Sequence, residues 1–192
     1  MDRQNKQKTK MVIISGPSGV GKSTICKEIV KRIGNANLSV SATTREKADS
    51  EVDGKDYWFI TKEEFQKRID DGSMLEYAEV FGNLYGTPRE KVDEALTEGK
   101  TVILEIDVQG AKQTKRLYPD ATMIFILPPS QKDLADRMSL RAREDAEETE
   151  ERLDMAGIEI AAAWQHYDNM VINDDLEQAV NEVVQIIVGP KE

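Results

Sequence analysis

The chain has 192 residues, 39% of them hydrophobic, one cysteine and a formal net charge of −10. That length and apolar content suit one compact domain, or a core carrying small insertions, and make disorder not the default reading, while the acidic balance speaks against a nucleic-acid groove or an anionic membrane surface as partner. A single cysteine cannot close an internal disulfide and no apolar run approaches the ~20 residues of a bilayer span, so a soluble cytoplasmic protein is expected, with no membrane partner.

The leader MDRQNKQKTK is polar and basic and lacks the apolar region of a secretory signal, and it is expected to be a loose tail. MVIISGPSGVGKSTICKEIVKRIG, Met11 to Gly34, then places four apolar residues before a glycine-rich turn and a helical pattern. GPSGVGKS, Gly16 to Ser23, satisfies GxxxxGK[ST] between a strand and a helix, the context in which that pattern cradles a nucleoside triphosphate. The loop Gly16, Pro17, Ser18, Gly19, Val20, Gly21, Lys22, Ser23 and Thr24, through the backbone N–H groups of all but Pro17, and the helix N-terminus would surround phosphate oxygens. Lys22 would reach the β- and γ-phosphates and the Ser23 hydroxyl would ligate Mg²⁺. The alternative is an ordinary glycine turn. Cys26, one turn before Val30, is expected to be buried.

From about 37 to 91 the pattern becomes β-rich, with SVSATT, DYWFI, MLEYAEV and LYGT, and with Gly82-Asn83 as a turn. Thr61 and Glu64 form a capping-box pattern for a short helix that Gly72 would end, and Thr87-Pro88 with Glu90 forms another. Buried strands are expected at Thr101–Asp107, Ala121–Leu127 and Met170–Asn173, each near a helical pattern, which is the alternation of a parallel α/β sheet. The segment 130–157 is dense in charge of both signs and reads as a solvated helical insertion, in which Arg137 and Arg141 share a helix face. His166 is expected in a packing cluster with Trp164 and Tyr167, and no metal-ligand spacing of His and Cys is present. A final helix from near Asp174 repeats Leu176, Val180, Val183 and Ile187. Internal repeats are not evident.

In order along the chain, GPSGVGKST, SATTR (41–45), EVDGKDYWF (51–59), LEYAEVFGNLYGT (75–87), LEIDVQG (104–110) and NDDL (173–176) resemble the guanylate kinases over nearly the whole length. The resemblance implies a P-loop nucleoside monophosphate kinase fold: core segments 10–36, 92–129 and 158–192, a GMP-binding insertion over about 37–91 and a lid over about 130–157. It also implies Mg²⁺-dependent transfer of the γ-phosphoryl of ATP to GMP.

The family's base-contacting positions fall on Ser41, Glu76, Thr87 and Asp107. Guanine presents N1–H and N2 donors side by side, which a carboxylate beside a hydroxyl can accept. Thr87 reads equally as a helix cap, Asp107 as an acid near Mg²⁺, and Glu105 as a site-lining acid or a structural one. The acceptor phosphate falls to Arg45, Tyr57 and Tyr85, though tyrosines on strands are commonly packing residues. Guanylate kinases usually have a second arginine three residues after the first. Here it is Ala48, and Lys47 either supplies the charge or is merely solvated. By position Arg141 and Arg152 match lid arginines that reach the transferring phosphoryl, with Ala142 in place of a usual glycine. Two other functions stay open: a related kinase for another phosphorylated acceptor, and a non-catalytic guanylate-kinase-like interaction module, whose members have typically lost the phosphate loop kept here.

Overall fold

Strand β1 (Met11–Ser15) is buried along its whole length, because it is paired in parallel on both edges and covered on both faces. The computed structural model describes residues 10–141 and 146–189, except the side chains of 140, 141 and 146–149. The leader, apart from Lys10, and Ala142 therefore lie outside the described residues. β1 pairs with β7 (Thr101–Glu105) on one edge and β8 (Thr122–Leu127) on the other. β2 (Ala36–Leu38) and β9 (Asn169–Ile172) complete a five-stranded parallel sheet in the order β2-β7-β1-β8-β9. This is the expected α/β architecture, and it takes in Asn37 and Leu38, which the sequence pattern grouped with the β-rich insertion.

The period of two along β1 divides the core. Val12 and Ile14 join Ile25 and Ile29 of α1 (Lys22–Ile33) and Val180 and Val183 of α7 (Leu176–Val188) on one face. On the other, Ile13 joins Val92 of α3 (Arg89–Thr97), Ala111 of α4 (Val108–Leu117) and Ala163 of α6 (Ala146–His166). Cys26 is buried in the first cluster, and burial pushes its thiol pKa up. Trp164 and His166 do not form the expected packing cluster: both are exposed, and only Tyr167 turns inward, its ring 5.1 Å from Phe125. Neighbouring helical residues point about 100° apart, so only the Ala163–Tyr167 face meets the sheet.

A second sheet, order β4-β3-β6-β5, is built from β3 (Ala42–Thr43), β4 (Trp58–Phe59), β5 (Met74–Val80) and β6 (Asn83–Pro88). Phe65 of α2 (Lys62–Asp70) plugs its back against Ala42 and Met74. Thr61 caps α2 by accepting from the Glu64 N–H, and Gly72 follows its end, as the pattern predicts. The β5–β6 turn falls on Phe81-Gly82 (φ 47° and 73°), one residue earlier than predicted, as a two-residue hairpin turn with both central residues left-handed. The charged segment is divided between α5 (Gln131–Arg141) and α6, so Arg137 and Arg152 stand on separate helices. Among the described residues no helix is long and apolar enough to cross a membrane.

Candidate active site

The C-terminal ends of β1, β7 and β9 open on one edge of the parallel sheet, where α/β folds place their ligands. The chain leaving β1 turns through Gly16, Gly19 and Gly21 at φ 152°, 80° and 102°. A Cβ on Gly16 would lie 2.5 Å from the Ile126 carbonyl, so only glycine lets the loop lie against β8. Lys22 Nζ folds over the loop and donates to the carbonyls of Gly16 and Pro17 at 2.6 and 3.0 Å. Two distant residues brace it: Asn173 Nδ2 donates to the Val20 carbonyl at 2.8 Å, and Arg137 donates to the Asn173 carbonyl at 2.9 Å. Arg137 is thus engaged with the loop's support.

At the foot of the loop the exposed Ser23 hydroxyl, next in sequence to Lys22, donates to Glu105 Oε1 at 2.7 Å, which brings two hard oxygen ligands together. Thr24 beside it is exposed. Glu159 of α6 faces the same region. Burial pushes its carboxyl pKa up to about 7, with Lys22 pulling down and Asp107 adding to the rise.

The small sheet faces this edge with its base-contact candidates in one row. Glu76 pairs with Thr87 across β5–β6, and Ala42 pairs with Gly86 across β3–β6, so Ser41 continues the register opposite Thr87. Residues in one row share a face, which brings Ser41, Thr87 and Glu76 together. The Ser41 carbonyl takes the Trp58 N–H at 2.9 Å and pins that end of the row.

Glu76 is 3% exposed, and the fully buried Thr87 donates its hydroxyl to Glu76 Oε1 at 2.6 Å. Thr87 does not cap α3, whose N-cap is Pro88 without a side-chain bond: Thr87 is still a residue of β6, and its hydroxyl points across the sheet to the Glu76 carboxylate. Burial pushes the Glu76 pKa up to about 7, the Thr87 bond opposing and Asp107 adding. Asp107 caps α4, accepting from the Gly110 N–H at 2.8 Å, which also explains why β7 stops at Glu105. α4 lies so close to β5 that a Cβ on Gly110 would sit 2.0 Å from Glu76 Oε2. Gly110 is the space in which the Glu76 carboxylate lies.

The phosphate candidates also converge. The Arg45 guanidinium lies 5.6 Å from the Tyr57 ring centre, and Tyr57 meets Tyr85 edge to face at 5.9 Å. Burial pushes the Tyr57 hydroxyl up to about 12. Arg45 donates to Glu51 Oε1 at 2.7 Å, and the Ala48 N–H donates to the other Glu51 oxygen at 2.8 Å. That hydrogen bond to Arg45 holds the Glu51 carboxyl below its usual range. Lys47 is exposed and donates to the Glu51 carbonyl at 3.1 Å. Of the lid arginines, the side chain of Arg141 lies outside the described residues, while Arg152 donates to Ser18 Oγ at 3.4 Å and stands over the Phe81 ring at 5.0 Å.

Asn173, Gly110, Phe81 and Glu159 were not marked as site residues by their sequence pattern, and Glu105 was left between two readings. The first three lie inside stretches that carry the resemblance, NDDL, LEIDVQG and LEYAEVFGNLYGT. Glu159 sits in an unremarkable helical run and had no such signal.

Comparison with known proteins agrees with this geometry. The family model for guanylate kinase matches residues 8–189. A guanylate kinase of Carboxydothermus hydrogenoformans is 48% identical over 182 residues, 94% of this chain and 88% of that one. A guanylate kinase of Synechocystis is 46% identical over 184 residues, 96% of each. The crystal structure of guanylate kinase from Anaplasma phagocytophilum superposes with a TM-score of 0.79 at 32% identity, covering 95% of this chain and 86% of that one. Family model, full-length relatives and superposed fold converge with the loop and the carboxylate-hydroxyl row, and the chain belongs to the guanylate kinase family.

Proposed function

We propose that the chain is an ATP:GMP phosphotransferase, transferring the γ-phosphoryl of ATP to GMP to give ADP and GDP. The observation that carries this reading is the buried Glu76 carboxylate with the Thr87 hydroxyl 2.6 Å away: guanine's adjacent N1–H and N2 donors satisfy that carboxylate, whereas adenine turns an acceptor N1 toward it. Ser41 and Asp107 complete the base contacts in this reading.

Gly16 to Thr24 hold the ATP phosphates, and Arg45, Tyr57, Tyr85 and Lys47 hold the phosphate of GMP. A GMP phosphate oxygen attacks the γ-phosphorus in line while the bond to the β,γ-bridging oxygen breaks, that oxygen keeping the electron pair as ADP leaves. Lys22, Arg141 and Arg152 stabilise the charge that spreads over the transferring group. Ser23 and Glu105 offer two hard oxygens 2.7 Å apart, a donor set that fits Mg²⁺ arriving with ATP and keeping most of its other ligands as phosphate and water. When bound, the ion neutralises phosphate charge. We take 37–91 as the acceptor-binding insertion and 130–157 as the closing lid, and the cytoplasm, where ATP and GMP occur, as the place of work. The net charge of −10 leaves nucleic acid and anionic membrane as poor partners.

An ADP-release assay against a panel of nucleoside monophosphates tests the reading. GMP is expected to turn over with a preference over AMP of about 10⁴. Turnover of another phosphorylated acceptor in place of GMP, or none at all, would overturn it.

A further inference from the structure

Phe81 is the one non-glycine residue with positive φ among the described residues, at 47°. It occupies the first central position of a two-residue hairpin turn, where asparagine or glycine fits better than an aromatic residue. Packing does not account for it either. The ring is 44% exposed and stands apart from the cluster around Phe65 that forms the small sheet's core. What the ring does meet is the guanidinium of Arg152, 5.0 Å from its centre and within cation–π range.

Arg152 in turn donates to Ser18 Oγ of the phosphate loop. One contact therefore joins the hairpin tip of the small sheet, helix α6 and the loop. Stacking engages the face of a guanidinium and not its N–H edge, so the ring can orient the arginine while its N–H groups hydrogen-bond in the guanidinium plane, as one does to Ser18. From this geometry, and resting on the kinase reading above, we infer that Phe81 is a positioning residue for phosphoryl transfer: its ring orients Arg152 at the mouth of the phosphate loop. Placement of the lid cation then depends on the acceptor-side sheet.

Phe81→Asn tests this without harming the fold, since asparagine suits the left-handed turn position. Steady-state kinetics with ATP and GMP should show kcat lowered about 2- to 30-fold, the worth of a cation–π contact. KM for both substrates should stay within about twofold and Tm at or above that of the parent. Phe81→Trp should keep the parental kcat. In an Arg152→Gln background, Phe81→Asn should cost less than about 1.5-fold, because the group it orients is gone. An unchanged or raised kcat, a defect confined to KM for GMP, or an equal loss in both backgrounds would overturn the inference. A parent enzyme inactive on GMP would overturn the kinase reading and this inference with it.

Discussion

At the base end of the proposed acceptor site, Glu76 is 3% exposed and its pKa is pushed up to about 7. At the phosphate end, Arg45 keeps about a third of its side chain in solvent and is held 2.7 Å from an ionised Glu51. Burial makes the base end expensive to charge and selective once charged, since a desolvated carboxylate left without guanine's donors is costly. The phosphate end is charged throughout and already neutralised, so an incoming phosphate must compete with Glu51 for the guanidinium. In the proposed reading, guanine recognition is gated by protonation of Glu76, and phosphate recognition by displacement of the Arg45–Glu51 ion pair.

The sharpest way to break this contrast is Glu76→Gln, which loses one charge-assisted bond and turns an amide donor toward a guanine donor. We expect kcat/KM for GMP to fall about 1000-fold, with KM for ATP within about twofold. An unchanged preference for GMP over AMP would mean the base is read elsewhere. Gly110→Ala should lower kcat/KM for GMP by about 100-fold, because its Cβ would displace the Glu76 carboxylate. The α4 helix gains propensity from alanine, so the thermal midpoint should fall little, and a large drop in Tm would show the effect to be structural instead.

Protonation gives the next effect. With the Glu76 pKa at about 7, the ionised fraction falls about 8-fold between pH 7.5 and 6, and KM for GMP should rise by the same factor. Stability moves oppositely. Folded Glu76 holds its proton up to about pH 7 while the unfolded chain releases it near 4.5. The favourable term of about 3 kcal/mol is thus fully present below pH 4.5 and lost as the pH rises to 7. Denaturant titrations at pH 5 and 8 would read it, and Glu76→Gln should flatten the difference, although Glu159 contributes in the same direction.

At the phosphate end the effects are smaller. Glu51→Gln keeps the hydrogen-bonding shape but removes the competing charge, and KM for GMP should fall up to about fivefold. A rise would mean that Glu51 serves mainly to hold Arg45 in place. Lys47→Ala should raise KM for GMP only about two- to threefold, since its ammonium is exposed and rests on backbone carbonyls. A loss above tenfold would make Lys47 a full substitute for the arginine missing at Ala48.

Most of the parallel core was legible in the chain itself. MVIIS, TVILE and TMIFIL are apolar runs bounded by turn signals, and runs of that kind are buried wherever strands are covered on both faces. The phosphate loop was legible too, because its glycines, Lys22 and Ser23 are consecutive and act through local backbone geometry. The Thr61 cap on α2 is local in the same sense. The features left open or misread were ones whose outcome turns on partners far along the chain. Thr87 read equally as a cap and as a base contact until the sheet set its hydroxyl against Glu76, while Trp164 and His166 had apolar neighbours in sequence that the helix turned away from them.

Residue types and local spacing thus pointed by themselves to a triphosphate-binding loop on an α/β core, and the resemblance to the guanylate kinases added Glu76 and Arg45 as candidates for the acceptor. Tertiary structure alone decided how those candidates act. Register set Ser41, Thr87 and Glu76 in one row. The approach of α4 made Gly110 the space for the Glu76 carboxylate, and chain crossings joined Ser23 to Glu105 and Phe81 to Arg152. The physical reason is that a carboxylate's pKa and an arginine's orientation depend on burial and on the groups within a few ångströms, and those neighbours come from distant parts of the chain.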